Sequence, residues 1–345
     1  MHARLERKLR SLAVIAAGGV MGGIVFSLAR GFTSAIGIAI SISYGLLLSL
    51  AIGSVELFLL RGPMREWLAG RSFTGNVAVR SAVYAAIIVP TQFFQLGSIV
   101  LGQHLALSLR SFWIAMAYSI VCAVMLNLAI AVVSVIGGRT FLNFISGRYH
   151  SPVEERRFVL FVDIVGSTGL AERLGGLGIH RFLDHTFRTL TVAVEDFRGE
   201  VLNYIGDEVI ITWPELSGAR DCRPLRCFVA MREELERESA RFEREFGVAP
   251  RIRGSLHFGP VIVGEIGAIK RAIVFNGDVM NTAARLEELS RDVDGGFLAS
   301  RAAMARFGSP PPFAVRDIGR VPIRGRTDGI DVVGLDASAP GLDLV

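Results

Sequence analysis

Two short stretches decide the fold of this chain: FVDIVGST at residues 161–168 and NYIGDE at residues 203–208. In each stretch an apolar, β-rich run ends at an aspartate, Asp163 or Asp207, with a glycine close by. This pattern predicts strands whose ends expose a carboxylate at a tight turn. Two carboxylates placed side by side repel each other, and divalent cations relieve that repulsion. Because such cations are the usual partners of nucleotide triphosphates, the pair points to an enzyme that acts on a nucleotide.

The composition divides the chain of 345 residues into two parts. Residues 1–138 hold almost all of the long apolar runs, whereas the rest has the mixed charge and the Gly and Pro content of a globular domain. We therefore expect a membrane anchor at residues 1–138. The net charge of +5 could suggest a nucleic-acid partner. Much of the excess flanks the apolar runs, where membrane orientation explains it, so we expect no nucleic acid.

Four apolar runs are close to or above the length that spans a bilayer, since a hydrocarbon core of roughly 30 Å needs about 20 helical residues. Basic residues are concentrated before the first run and between the second and third runs. By the positive-inside rule, the N-terminus and everything after Arg139 lie in the cytoplasm. The expected location is the inner cell membrane, crossed several times. The predicted transmembrane helices are about residues 12–28, 35–60, 82–101 and 112–136.

Small and charged residues within these runs suggest contacts between helices. Gly18 with Gly22 and Gly19 with Gly23 form overlapping small-xxx-small pairs that would let another helix approach closely. The alternative is that glycine is simply common in membrane helices. Glu56 lies near the cytoplasmic end of the second run, where we expect it to snorkel to the interface.

The second half of the chain alternates between strand and helix patterns, which predicts an α+β sandwich. Apolar residues recur at helical spacing from Ile179 up to Gly199, and a second helix follows Pro224. Hairpins are expected where Gly or Pro interrupts β-rich runs. The predicted strands are residues 157–162, the hairpin 200–204 with 209–213, the hairpin 251–258 with 261–266 around Gly259-Pro260, and residues 272–275, which lead into a helix from Asp278.

Four motifs follow one another in the order found in class III nucleotidyl cyclases, and the chain resembles that family over about residues 154–335. The four apolar runs predict an all-α transmembrane bundle of four helices. The resemblance implies that this bundle is followed by an α+β catalytic domain of the cyclase type, which is ferredoxin-like and related to the palm fold. It places a cytoplasmic transmitter segment at 139–155, the catalytic domain at 156–336 and a C-terminal tail at 337–345. The motifs are FVDIVGST at 161–168, IGD at 205–207, HFGPV through GEIG at 257–267, and GDVMNTAAR at 277–285.

The same resemblance implies a chemistry for the two aspartates. Asp163, Asp207 and the backbone at Ile164 are expected to hold two Mg²⁺ or Mn²⁺ ions in each active site. The ribose 3′-hydroxyl of ATP would attack the α-phosphorus in line and release pyrophosphate, with the ions lowering the pKa of the hydroxyl and neutralising the triphosphate. Either aspartate alone could instead only satisfy a turn.

Asn281 and Arg285 are four residues apart and therefore project from one face of a helix. By resemblance, Asn281 orients the ribose and Arg285 stabilises the charge that builds on the α-phosphate. An exposed arginine with a capping asparagine is the alternative. Arg324, in IRGR at 323–326, matches a late basic position that contacts the triphosphate. Because family members pair the metal site of one subunit with the Asn and Arg of another, a homodimer with composite active sites is implied.

The residues at the base-reading positions depart from the family pattern. Adenylate cyclases of the usual type have Lys and either Asp or Thr where this chain has Asn203 and Val274. Asn203 can donate to and accept from a purine, but Val274 offers only packing or its backbone. Guanylate cyclases usually have Glu and a small polar residue at these two places, so that pattern is absent too. We expect ATP as the substrate because the membrane-bound bacterial relatives are mostly adenylate cyclases.

Other functions stay open on the sequence alone. The chain could be a guanylate cyclase, or a membrane receptor whose cyclase domain is catalytically degenerate. The run Ile205–Val209 is similar to the Gly-Gly-Asp-Glu-Phe hairpin of diguanylate cyclases, although that family lacks the motif with Asn281 and Arg285. A transporter or channel has little support, because the four runs contain no convincing polar pathway.

Overall fold

The computed structural model describes residues 2–29, 31, 35–59, 64, 67–68, 71–100, 105–136, 143, 147–269, 271–293, 295–311, 313–323 and 329–335. The chain separates into two compact units, Met1–Gly138 and Arg139–Val345. Each unit is described by itself.

The N-terminal unit is helical, and three of its segments are long and apolar enough to cross a membrane: Leu12–Ala29, Gly37–Phe58 and Phe112–Ala131. The third expected span, 82–101, falls in a helix that does not meet this criterion over the described residues. That helix contains Arg80 and Gln92, whose polar groups lower its hydropathy. Three of the four expected spans are therefore supported. The helices are α1 (His2–Ala29), α2 (Ala35–Ser54, continued by a π-helical turn, Val55–Leu59), α3 (Phe73–Val100) and α4 (Leu105–Ile136).

One of the two predicted glycine pairs lets α1 and α2 approach closely. A Cβ atom on Gly19 would lie 2.4 Å from the Gly45 carbonyl oxygen, and one on Gly23 would lie 2.3 Å from the Ser41 carbonyl oxygen. No side chain fits in either place, so the prediction is confirmed for Gly19 and Gly23. Gly18, by contrast, has open space around its Cβ position.

The snorkelling interpretation of Glu56 is wrong, because the carboxylate is paired inside the helical unit. Arg80 Nη1 lies 2.7 Å from Glu56 Oε2, and the two side chains are only 17% and 15% exposed. The Tyr84 hydroxyl donates a second hydrogen bond to Glu56. A buried carboxylate needs such partners, and the π-helical turn in which Glu56 lies connects it with α3.

A mixed β-sheet forms the centre of the second unit. Over the described residues the strand order is β2-β3-β1-β4-β6-β8-β7, with β5 paired to β4. The β4–β6 pair is parallel and the other pairs are antiparallel. The strands are β1 (Val153–Ile164), β2 (Glu200–Ile205), β3 (Glu208–Pro214), β4 (Ile252–Ile266), β5 (Ala272–Asn276), β6 (Phe297–Ser300), β7 (Val315–Val321) and β8 (Ile330–Leu335).

Helices cover both faces of this sheet, as expected for an α+β sandwich. Alternate residues of β1 point to opposite faces, so Phe158 and Leu160 join one apolar core while Val159 and Phe161 join another. The first core lies under α5 and α7, and the second lies under α9. The helices are α5 (Ser167–Asp196), α6 (Glu215–Ala219), α7 (Arg223–Arg237), α8 (Ser239–Phe246), α9 (Asp278–Ser290) and α10 (Arg301–Met304).

The structure corrects the predicted hairpin at Gly259-Pro260, because β4 runs through both residues without a turn. The whole strand pairs with β1, and Pro260 lies opposite Arg156. The other edge of β4 is paired only at residues 254–256 and 262–266. Within the described part of the chain, Pro260 therefore lies where β4 is paired with a neighbouring strand on one edge only, so its missing N–H group breaks no hydrogen bond on the other edge. A Cβ atom on Gly259 would lie 3.3 Å from Val279, so the glycine lets α9 pack closely on the strand.

Two predicted helices also have different bounds. The helix expected from Ile179 begins at Ser167 and is kinked at Gly175, where φ is 68°. The helix expected after Pro224 is interrupted at Glu238, which separates α7 from α8. The hairpin of β2 and β3, and the strand β5 that leads into a helix at Asp278, are confirmed.

Candidate active site

Asp163 lies near the end of β1, the strand that β3 and β4 flank in the sheet. Its register partners are Glu208 on β3 and Arg253 on β4. This central position leaves Asp163 only 4% exposed. Ile164 follows in the chain, and its side chain is packed in the core, so only its backbone is available to a ligand.

Asp207 reaches the same place from the turn between β2 and β3. Gly206 has a φ of 63°, a left-handed conformation that glycine adopts without strain and that closes the two-residue turn. The Asp207 carboxylate is half-buried and accepts a hydrogen bond from the Ser167 hydroxyl at the start of α5. Asp163 and Asp207 are also close enough to share a hydrogen bond. The two carboxylates that the motifs singled out are therefore brought together.

The carboxylates open into a polar cavity of about 450 Å³. One wall is the backbone turn at residues 166–168, which leads into the N-terminus of α5. Backbone N–H groups at such a helix start favour anions. The remaining walls carry two further carboxylates and two guanidinium groups, from Glu208, Glu287, Arg253 and Arg291. The cavity can thus hold cations and anions next to each other.

The crowding of acids changes their titration. Burial, followed by the hydrogen bond and charge of Asp207, raises the pKa of Asp163 to about 7, against the opposing effect of Arg253. Burial and the charges of Glu287, Asp163 and Asp207 raise the pKa of Glu208 to about 7. Both groups therefore hold a proton at neutral pH for part of the time, unless a cation takes its place.

Arg253 bridges two of the acids that line the cavity, and sequence reasoning missed it. Its Nη2 donates to the Asp163 carboxylate, and its Nε donates to Glu287 Oε1 at 2.8 Å. Its partners are 90 and 34 residues away in the chain. Only the register between β1 and β4 reveals the contact with Asp163. Glu208 and Glu287 were missed as well, although Glu208 directly follows Asp207 and Glu287 lies two residues after Arg285.

The residues fit a divalent cation with oxygen ligands. Asp163 and Asp207 supply hard donors, and the guanidinium of Arg253 already stands in for a positive charge there. Within the part of the chain that the structure describes, no group of three His, Cys, Asp or Glu side chains has metal-binding spacing. Mg²⁺ is commonly bound by one or two carboxylates, with phosphate and water completing the shell. The site suits that mode of binding.

Four further predicted residues that the structure describes, Asn203, Val274, Asn281 and Arg285, do not line this cavity. Asn281 and Arg285 lie on α9, exposed and half-buried respectively. Asn203 is exposed on β2, with its Oδ1 accepting from the Tyr204 N–H at 3.0 Å. Val274 lies in the middle of β5, opposite Gly264. Arg324 lies outside the described residues. A single chain therefore gathers the carboxylates but not the Asn and Arg of the α9 motif.

Comparisons with known proteins identify the family of the second unit. Residues 151–333 match the adenylate and guanylate cyclase catalytic domain, whose members generally use divalent metal ions. Adenylate cyclase 2 of Rhizobium meliloti is 35% identical over 204 residues, which make up 59% of this chain and 56% of that protein. An adenylate cyclase of Anabaena cylindrica is 27% identical over 188 residues, 53% of this chain and 37% of that protein.

Among solved structures, the adenylyl cyclase CyaB from P. aeruginosa is 20% identical, with a TM-score of 0.49, covering 55% of this chain and 98% of that one. The family match by itself covers more than half of the chain. The chain belongs to the adenylate and guanylate cyclase catalytic domain family.

Proposed function

We propose that the protein is a membrane-bound adenylate cyclase, which converts ATP to 3′,5′-cyclic AMP and pyrophosphate for intracellular signalling. The observation that carries the proposal is the meeting of Asp163 and Asp207 at a cavity that also contains the helix start at 166–168. Cation ligands and an anion-binding backbone are thereby adjacent, as a triphosphate requires. The relatives named as adenylate cyclases favour ATP over GTP.

Asp163, Asp207 and the backbone at Ile164 would hold two Mg²⁺ or Mn²⁺ ions. When bound, these ions would lower the pKa of the ribose 3′-hydroxyl and neutralise charge on the triphosphate. The N–H groups of the turn at 166–168 would bind phosphate oxygens. Arg253 forms ion pairs with Asp163 and Glu287, and its positive charge balances part of the negative charge of the carboxylates.

A second copy of the chain would complete the site. Asn281 and Arg285 are absent from the walls of their own chain's cavity, so we propose that they reach the cavity of a partner subunit in a homodimer. There Arg285 would stabilise the charge on the α-phosphate, since its planar guanidinium is permanently charged. Asn281 would orient the ribose. Arg324 is proposed as a contact to the triphosphate.

Asn203 and Val274 are proposed to line the base pocket. Asn203 is exposed and can exchange its bond to the Tyr204 N–H for one to adenine. Val274 would contribute packing. The absence of a polar side chain at 274 also favours a second candidate function, a membrane receptor whose cyclase domain binds without turnover.

The three apolar helices support anchoring in a membrane. We propose that α3 supplies a fourth crossing, that the chain sits in the inner cell membrane, and that its N-terminus and catalytic domain are cytoplasmic. Residues 139–155 would then carry signals from the anchor to the catalytic domain. By holding two copies in one bilayer, the anchor would raise the effective concentration of the partner subunit.

The product of the full-length protein tests the proposal. Purified protein is given ATP or GTP with Mg²⁺ or Mn²⁺, and nucleotides are separated by chromatography. Cyclic AMP that is formed by the native protein and lost in Asp207→Asn is expected. Cyclic GMP in place of cyclic AMP would favour a guanylate cyclase, and nucleotide binding without any cyclic product would favour the receptor.

A further inference from the structure

Helix α9 carries a buried carboxylate that the proposed chemistry does not use. The side chain of Glu287 is only 4% exposed, and it lines the cavity of Asp163 and Asp207. Asn281 and Arg285 lie on the same helix but do not line that cavity. One face of α9 therefore contacts the carboxylate site of its own chain through Glu287. Asn281 and Arg285 do not contact that site, so they can act in the site of a partner subunit.

Arg253 makes this connection. It stands between two acids, with Nε donating to Glu287 Oε1 at 2.8 Å and Nη2 donating to Asp163. The side chains of Arg253 and Asp163 are only 14% and 6% exposed. The guanidinium of Arg253 thus bridges two mostly buried carboxylates, and the loss of either one would change how the arginine is held.

We propose that Arg253 and Glu287 are positioning residues that tie α9 to the carboxylate pair, so that binding of a divalent cation at Asp163 and Asp207 changes the stability of the helix that carries Asn281 and Arg285. This inference rests on the cation site of the proposed function. It concerns how the chain's own residues respond to the cation, before any nucleotide is bound.

The direction of the response follows from the charges. A divalent cation would neutralise Asp163 and repel the guanidinium beside it. Arg253 would then lose one partner, and its Nη donors would turn to Glu287, which accepts two parallel hydrogen bonds from an arginine. The segment of α9 around Glu287 becomes more firmly held to β4. In the proposed dimer, a cation bound in the site of one subunit would therefore stabilise that subunit's α9. The Asn281 and Arg285 on this helix belong to the second active site.

The experiment uses Mn²⁺ alone, without nucleotide, on the full-length protein in detergent. Bound Mn²⁺ is counted by electron paramagnetic resonance, and hydrogen exchange of residues 278–290 is followed by mass spectrometry. We expect exchange near Glu287 to slow by roughly threefold or more, with a midpoint at the Mn²⁺ concentration that half fills the site. Bound Mn²⁺ without slower exchange would overturn the inference and leave the cyclase proposal standing.

Variants distinguish the contact between Arg253 and Glu287 from general effects of the metal on the protein. Glu287→Gln and Arg253→Lys should still bind Mn²⁺, but Mn²⁺ should no longer slow hydrogen exchange in α9, because neither variant can form the bidentate ion pair. Arg291→Gln is the matched control: Arg291 also lines the cavity, but it is 55% exposed and 3.9 Å from Glu287. It should keep the slowing. Retention of the slowing in both Glu287→Gln and Arg253→Lys would overturn the inference, whereas failure of the native protein to bind Mn²⁺ would overturn both the inference and the cation site.

Discussion

Asp163 and Arg253 lie opposite each other on neighbouring antiparallel strands, and the arginine donates a hydrogen bond to the carboxylate. Without a metal, this guanidinium supplies the positive charge that the paired acids of the cavity need. It offsets only part of the cost of burying them, since the pKa of Asp163 is still raised to about 7. In the proposed function, a cation bound here would take the place of the proton on Asp163.

That exchange predicts a pH dependence of metal binding. An acid whose pKa is raised to about 7 is protonated below that pH, so the affinity for Mn²⁺ should fall by up to about tenfold for each pH unit below 7 and level off above it. Calorimetry at pH 6.5, in two buffers of different ionisation enthalpy, should detect release of a proton on binding.

The control for this measurement is Glu208→Gln. Glu208 has its own raised pKa of about 7 but is not proposed as a ligand, so the variant should still bind Mn²⁺ and release a proton. Affinity that stays constant between pH 6 and pH 8 would contradict the assignment of Asp163 as the group that gives up the proton.

The motifs predicted the positions of Asp163 and Asp207 because the residues that place each aspartate at a turn are its neighbours in the sequence. A β-rich run, a turn glycine and an aspartate lie within a few residues of each other in both motifs, and the turn chemistry at Gly206 is readable from the residue type alone. The adjacency of Asp163 and Asp207 then follows from the pairing of β1 with β3.

Contacts that depend on strand register could not be predicted in this way. Arg253 meets Asp163 only because β4 pairs with β1 along its whole length. The same pairing overrides the local turn signal of Gly259-Pro260, which led to a wrong prediction of a hairpin. Glu56 was also misjudged, because its partner Arg80 lies on another helix, 24 residues further along the chain.

The pair formed by Glu56 and Arg80 predicts a stability effect. Each single replacement by alanine removes the charged partner of the other side chain, which keeps a neutral hydrogen-bond partner, Tyr84 for Glu56 or Asn76 for Arg80. Each should destabilise the protein by about 1.5–3 kcal/mol. The double replacement should cost much less than the sum of the two. Thermal unfolding of the full-length protein in detergent measures the stability of the two single variants and the double variant. If the double variant loses the sum of the two single losses in stability, the two side chains do not act as a pair.

The base-reading role proposed for Asn203 and Val274 predicts a change in substrate affinity. Asn203→Lys combined with Val274→Thr introduces the residue types of the usual adenylate cyclase pattern, and Thr has nearly the shape of Val. The KM for ATP should fall by roughly tenfold, with little change for GTP. Steady-state kinetics with both nucleotides test this, and an equal change for the two would place these residues away from the base.

Complementation between two inactive variants tests the central claim most directly, because it requires both catalysis and a shared site. Asp163→Ala and Arg285→Ala should each abolish cyclic AMP formation. Co-expressed in equal amounts they should recover about one quarter of the native activity, since half of the dimers are mixed and each of those has one intact site of two. Asp163→Ala with Asp207→Ala, which damage the same half of the site, should recover nothing. Absence of recovery from the first pair, with mixed dimers isolated by two affinity tags, would contradict the account.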